Sequence, residues 1–248
     1  MIPKLALVEV FAAPQGEGYN AGRSAVFVRL AGCPLACEFA PGVVCDTPYQ
    51  QANLKVTLDT LFNDIIPALL PPVTKGLCID EAPMLIITGG EPTAAPLFDD
   101  LMRRAYDSLY YVAVETNGTN YRIGLEYADW VSVSPKVGVP QTSSAAGHNQ
   151  NPKLPTLNLK VCNLLSRPGD VGGEYRYVIV GHPMEMPPYY PAIAHYVSPL
   201  VRSDGSGLEW KDGFPGFAPN AVRRCLEIIK EDPRWRISVQ THKVLGVR

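Results

Sequence analysis

The sequence predicts an α/β domain built on a mostly parallel sheet, and three observations carry that prediction. Short apolar runs rich in β-branched residues recur between stretches of helical character, as expected of a sheet covered on both faces. Four of those runs end in a polar tip, "TGGEP", "ETNG", "SPK" and "QTHK". Sites in parallel sheets and barrels assemble at the carboxyl ends of strands, so the four tips face one cavity. Lastly, 248 residues with 46% hydrophobic and 19% charged side chains suffice for a sizeable globular core.

The elements follow in order. "LALVEVFAA" near the start is apolar but short, has no strongly basic start, and runs into "PQGEG" instead of a cleavage site, so it is not read as a secretory segment. Strands are predicted at 24–32, 84–90, 110–118, 130–136, 156–161, 175–180, 195–201 and 236–243. A helix is predicted over 57–70 after Thr57 as N-cap, and another over 96–109 with Pro96 at its first position. A third runs from Pro219 and stops at Pro233. Residues 137–156 and 202–220 are rich in Gly, Pro, Ser and Asn and read as long loops. Neither loop joins two self-sufficient halves, and no repeat is present, so residues 1–248 are expected to form a single domain.

Charge and cysteine usage narrow the function. A net charge of −2 gives no global field for a nucleic-acid partner. The longest apolar run, "IIPALLPPV", is broken by prolines and is far short of a bilayer span, so no membrane association is expected. Without a leader the expected compartment is the reducing cytoplasm, where clustered cysteines bind metal or do redox chemistry.

Three of the six cysteines fall in "GCPLACEFAPGVVCDTPY", with gaps of three and then seven residues between Cys33, Cys37 and Cys45. Three thiolates suit an iron–sulfur cluster, because soft sulfur ligands select iron–sulfur or zinc. A structural zinc site closes with four ligands, and the nearest histidine after the loop is His148. A cluster with three protein ligands keeps one iron open for a substrate or cofactor. The other reading is a zinc knuckle or redox cluster. Cys78, Cys162 and Cys225 stand alone and read as small buried hydrophobes.

The loop resembles the cysteine signature of the radical S-adenosylmethionine enzymes, with a second gap longer by five residues around "FAPGV". Together with "FAAPQGEGYNAGRSAVFVRLAGC", "CDTPY", "TGGEP", "ETNG", "SPK" and "QTHKVLGVR", it is similar to one branch, the 7-carboxy-7-deazaguanine synthases. The resemblance implies an incomplete parallel (β/α) barrel of about six strands, with fewer helices than the eight-fold form and a homodimer covering the bare face. It also implies a [4Fe–4S] cluster on Cys33, Cys37 and Cys45, with S-adenosylmethionine on the fourth iron, magnesium, and an external one-electron reductant of flavodoxin or ferredoxin type. The implied substrate is 6-carboxy-5,6,7,8-tetrahydropterin. An activase that places a glycyl radical on a partner protein is the alternative enzyme, and a non-catalytic metal or iron–sulfur module the alternative of another class.

Residue by residue, the resemblance sets the backbone of Gly89, Gly90 and Glu91 against the methionine part of S-adenosylmethionine; an ordinary strand-ending turn is the structural alternative. Ser134, Lys136 and Asp46 join them on the cofactor. Thr47 is the implied magnesium ligand, against a hydroxyl turn closing the loop. Gln15, Glu17, Thr88 and Glu115 fall on the substrate, with Glu17 or Glu115 as the bidentate partner of its amino-pyrimidine edge. Arg29, in the apolar "FVRLAG", must be paired; the substrate carboxylate and Glu17 are the two candidates. His242 and Arg248 belong to a tail implied to fold over the substrate.

Overall fold

The computed structural model describes residues 2–40, 43–45, 47–72, 82–136, 156–167, 171–181, 185–200 and 217–246. Its strands are β1 (Leu5–Pro14), β2 (Ser24–Leu30), β3 (Glu38–Ala40), β4 (Val43–Val44), β5 (Leu54–Val56), β6 (Met84–Gly89), β7 (Tyr111–Thr116), β8 (Trp130–Val133), β9 (Gly172–Ile179), β10 (Ala194–Pro199) and β11 (Trp235–Ile237). Nine of these form one sheet in the order β11-β10-β9-β8-β7-β6-β2-β1-β5. From β2 to β11 every neighbouring pair is parallel, while β1 and β5 run antiparallel at one edge. β5 and β11 are the ends of the order, so the sheet is open among the described residues, as the incomplete barrel requires. Its parallel run has seven strands where about six were expected.

The two faces of the sheet differ, because side chains alternate along each strand. One face carries Val26, Val28, Leu85, Ile87, Val112, Val114, Val131, Val133, Tyr175 and Ile179, and meets the helices α3 (Phe98–Tyr106), α4 (Leu159–Ser166) and α5 (Pro219–Glu231) in the main core. Fully buried Ile87 is typical of it; truncation to alanine there costs about 2–5 kcal/mol. The other face starts apolar at the amino ends of the strands, with Ala25, Phe27, Met84, Ile86, Tyr111, Ala113 and Trp130. Toward the carboxyl ends the same face turns polar, with Arg29, Thr88, Glu115, Ser132, Glu174, Arg176 and Ser198 in continuing alternation. Strand register holds this layering: Arg29 lies beside Thr88, Glu115 beside Ser132, and Ser132 beside Glu174.

Two predicted strands change, one strand is added and one helix is divided. The run 156–161 is not a strand: α4 begins after Asn158, whose side chain accepts from the Lys160 N–H. Val161, Cys162 and Leu165 then share one buried stripe, a helical spacing that a six-residue window hides. The run 236–243 divides into short β11 and the helix α6 (Thr241–Leu245), capped by Gly246 in the left-handed region. "LALVEVFAA", absent from the predicted strands, is the long strand β1. The helix at 57–70 is present as α1 (Leu58–Thr60) and α2 (Ile66–Leu69) around a π turn at Leu61–Ile65. Pro67 follows that wider turn and has no N–H to give the preceding turn. Nearly all of the two long loops lies outside the described residues.

Candidate active site

The five additional residues between Cys37 and Cys45 have a simple structural consequence. β3 and β4 pair antiparallel, with Glu38 opposite Val44 and Ala40 opposite Val43. That hairpin returns the chain to its start, where the Cys45 N–H donates to the Cys37 carbonyl at 3.1 Å. Cys33 comes from the other side of the loop, at the carboxyl end of β2, and its Sγ accepts from the Leu35 N–H at 3.4 Å. Burial pushes the Cys33 thiol up to about 11, with smaller contributions from Glu91, Cys37 and Cys45. Tyr49 is raised by burial and then by Cys33, Cys45 and Cys37, so the three sulfurs share one neighbourhood. A metal would reverse the Cys33 shift, since a coordinating thiol is deprotonated outright.

The glycine turn locks onto this loop. The N–H of Glu91 donates to the Gly32 carbonyl at 3.0 Å, that of Gly90 to Leu30 at 3.2 Å, and that of Gly32 to Tyr49 at 2.8 Å. A Cβ on Gly90 would sit 2.3 Å from the Gly32 carbonyl oxygen and 2.8 Å from Cys33 Cβ, so only glycine admits this approach. The Glu91 side chain points away from the cavity. It is buried and accepts from Thr93 and Thr116 hydroxyls at 2.7 Å each and from the Asn117 N–H at 2.7 Å. Burial raises its carboxyl despite those bonds.

A cavity of about 610 Å³ opens at the carboxyl ends of the strands, lined by Cys45, Thr47, Gly89, Gly90, Ser134 and Lys136 together with Gln15, Glu17, Arg29, Thr88, Glu115, Arg176 and His242. Lys136 donates to Ser134 Oγ at 2.7 Å and lies 5.2 Å from the centre of the Phe39 ring. Burial lowers its ammonium, and the thiols of Cys37 and Cys45 oppose that. Arg29 pairs with Glu9 at 3.0 Å, which corrects the expected Glu17 partner: Glu9 and Arg29 are register partners on adjacent strands, whereas Glu17 lies beyond β1. His242 packs on Gly16, where a Cβ would approach its Nδ1 to 2.1 Å. Thr241 holds the tail there through its N–H and hydroxyl to the Gly16 carbonyl at 3.1 and 2.9 Å. Asp46 and Arg248 lie outside the described residues.

Arg176 was not singled out from the sequence. Its guanidinium donates to Glu115 at 2.8 Å and to Glu17 at 3.3 Å, with Glu174 3.3 Å from its Nε. The last is a charge contact without hydrogen-bond alignment, since Nε has no hydrogen-bond partner. The signal was available: "EYRYVIV" is an arginine in an apolar strand, as "FVRLAG" is.

No protein-family model matches the chain. A curated 7-carboxy-7-deazaguanine synthase of Neisseria meningitidis serogroup B is 37% identical over 253 residues, covering 99% of this chain and 95% of that protein. The chain belongs to the 7-carboxy-7-deazaguanine synthase family. A second member, from Nitratidesulfovibrio vulgaris, is 33% identical over 252 residues, covering 96% of this chain and 97% of its own. The crystal structure of QueE from Escherichia coli superposes with a TM-score of 0.55 at 21% identity, over 96% of this chain and 94% of that one, and so shares the fold. As a radical S-adenosylmethionine lyase, this synthase uses a [4Fe–4S] cluster with S-adenosylmethionine. The residues present fit that cofactor set. Among the described residues no three His, Cys, Asp or Glu side chains converge on a single ion, but a four-iron cluster takes each thiolate on a separate iron, and three sulfurs spread around one loop suit it. No described helix is long and apolar enough to cross a membrane.

Proposed function

We propose that this synthase contracts the ring of 6-carboxy-5,6,7,8-tetrahydropterin to 7-carboxy-7-deazaguanine with loss of ammonia, in deazapurine biosynthesis of the queuosine type. One observation carries the reading: the cysteine loop and a carboxylate–arginine cluster line the same cavity. A flat heterocycle with a donor edge and a carboxylate needs both an acceptor wall and a basic group. When bound, the cluster and S-adenosylmethionine would supply the one-electron radical chemistry that hydrogen abstraction at the substrate requires.

The chain's own residues bind, orient and exclude water. Cys33, Cys37 and Cys45 would hold the cluster. The backbone at Gly89, Gly90 and Glu91 would meet the methionine end of S-adenosylmethionine, and Ser134, Lys136 and Asp46 the remainder. Glu17 and Glu115 accept the amino-pyrimidine edge, with Gln15 and Thr88 fixing Glu115 at 3.1 and 3.0 Å. Arg29 is only partly buried and has one face over Phe11, and it takes the substrate carboxylate. His242, on the tail that packs against Gly16, would lie over the substrate, and Arg248 is assigned to the same tail. Thr47 lines the cavity, as Cys45 does, and its hydroxyl oxygen would hold magnesium, an ion that takes oxygen ligands.

We further propose that residues 1–248 act as one domain, that two copies pair where the barrel lacks helices, and that a flavodoxin- or ferredoxin-type protein delivers the electron. Anaerobic incubation with the pterin, S-adenosylmethionine and a one-electron reductant should yield 7-carboxy-7-deazaguanine. Cleavage of S-adenosylmethionine with no deazaguanine would sink the substrate assignment. Sedimentation as a monomer at micromolar concentration would remove the dimer.

A further inference from the structure

We propose that Arg176 is a positioning residue that sets the recognition carboxylates of the cavity as a pair, and that it does so through its fork geometry and not through charge alone. The proposal rests on the pterin reading above and extends it to a residue which that reading does not use.

β9 carries Arg176 and β7 carries Glu115, with β8 between them. The side chain therefore reaches over a whole strand to make its 2.8 Å bond. Its other terminal nitrogen meets Glu17, which comes from the loop after β1. One guanidinium thus joins three distant parts of the chain, and Glu174 closes its far side at 3.3 Å. The Arg176 side chain is 8% exposed, against 22% for Arg29. The two cavity arginines consequently differ in use. Arg29 keeps surface for an incoming anion, whereas Arg176 is tied up by carboxylates of the protein itself.

The balance of charge gives the arrangement its chemistry. Three carboxylates surround one guanidinium, so the cluster keeps an excess of negative charge. Glu174 spends its own bonds inward, accepting from the Tyr19 N–H at 2.7 Å and the Ser132 hydroxyl at 2.8 Å, and it is fully buried. The excess is therefore offered to the cavity by Glu17 and Glu115. Glu115 is fixed through both oxygens, by Gln15 and Arg176 on one and Thr88 on the other. Among the described residues the hydrogen bonds to the Glu17 side chain are long, 3.3 Å from Arg176 and 3.4 Å from Ser198. Its position therefore depends on Arg176 more than that of Glu115 does. A lysine offers one point charge in place of two divergent N–H groups, so it cannot span the two carboxylates.

The test is a double-mutant cycle on the intact, cluster-loaded protein with the tetrahydropterin as probe. Arg176→Lys should raise KM for the pterin about tenfold, the worth of one charge-assisted hydrogen bond, with kcat changed much less. Glu17→Gln should do the same, and the double variant should be no worse than the worse single one, because both remove a single interaction. In Arg176→Lys, iron and sulfide content and substrate-free cleavage of S-adenosylmethionine should match the parent protein. An unchanged KM in Arg176→Lys, or a double variant whose KM is the product of the two single effects, would overturn the proposal. So would loss of the cluster in Arg176→Lys, which would make the residue structural. Should that variant not fold, Glu174→Gln with Arg176→Gln keeps the net charge and is expected to show the same KM effect. A parent protein that turns over no pterin defeats the substrate assignment instead, and the two failures are told apart.

Discussion

The main-chain N–H of Cys45 donates to the carbonyl of Cys37 at 3.1 Å, so two cysteines with seven residues between them in sequence are neighbours in space. The bond closes the β3–β4 hairpin at its base. If Cys45 is the third cluster ligand, Cys45→Ala leaves two thiolates, too few for a four-iron cluster with an open iron. Iron and sulfide per chain should collapse, as for Cys33→Ala and Cys37→Ala. Cys162→Ala and Cys225→Ala remove buried sulfurs from the helix-covered core and should cost on the order of 1 kcal/mol with the cluster kept. Normal reconstitution of Cys45→Ala would move the third ligand elsewhere, to Cys78 first.

Gly90 joins that loop to the sheet. An added Cβ meets a carbonyl oxygen at 2.3 Å and Cys33 Cβ at 2.8 Å, and backbone cannot swing aside as a side-chain tip does. Gly90→Ala should therefore destabilise the protein by about 1–3 kcal/mol and lower its cluster loading. Denaturant titration with iron analysis checks both. Full loading in a stable Gly90→Ala protein would show that the cysteine loop is not anchored through this turn.

The parallel sheet was legible because its strands are apolar on both faces for most of their length, and because four polar tips mark their carboxyl ends. The cysteine loop was legible as a constellation, although the hairpin inside it depends on pairing that no local pattern signals. α4 was misread because "TLNLKV" fits either period over six residues; only Asn158 as a cap and the continuation to Leu165 decide it. Arg29 was found by the oddity of an arginine in an apolar strand, and Arg176 carries the same oddity. Its partners Glu17 and Glu115 lie 159 and 61 residues away, and such distances are settled by sheet order and, for Glu17, by the course of the loop after β1. The pairing of Arg29 with Glu9 depends on antiparallel register in β1, a strand absent from the predicted set.

Thr47→Ala separates magnesium from sulfur. Thr47 lies in the cavity wall, and its substitution removes no thiol. The variant should keep the brown cluster and lose the stimulation of product formation by magnesium. Equal stimulation in parent and variant would place the ion on other oxygens.

Gly16 and His242 test the tail. The 2.1 Å approach of a Gly16 Cβ to the imidazole is relieved only if the ring turns away, which a side-chain tip does cheaply. Gly16→Ala should leave the fold and cluster intact and raise KM for the pterin about tenfold, the equivalent of about 1.4 kcal/mol. His242→Ala should reproduce the effect, and the two together should not add. A Gly16→Ala protein with unaltered KM would separate the imidazole from the substrate.

Glu115 gives the acid side of the stability profile a definite sign. Burial alone would raise its carboxyl, but the Arg176 charge, with hydrogen bonds from Arg176, Gln15 and Thr88, outweighs burial and holds it below the ordinary 4.5. A carboxyl with a depressed folded pKa stabilises the fold fully above its unfolded value. That contribution is lost as pH falls below 4.5 and through the folded value. Glu91 and Glu174 are raised, by burial first, and so act in the opposite sense, favouring the fold more at acid pH. The profile of the parent protein mixes these signs, and a comparison with Glu115→Gln isolates one. Glu115→Gln should cost about 1–3 kcal/mol at neutral pH, and the gap to the parent should narrow as the pH drops below about 4.5. Urea unfolding of cluster-free protein at stepped pH measures it. A gap that stays constant into the acid range would mean that Glu115 gains nothing from Arg176 in the folded state.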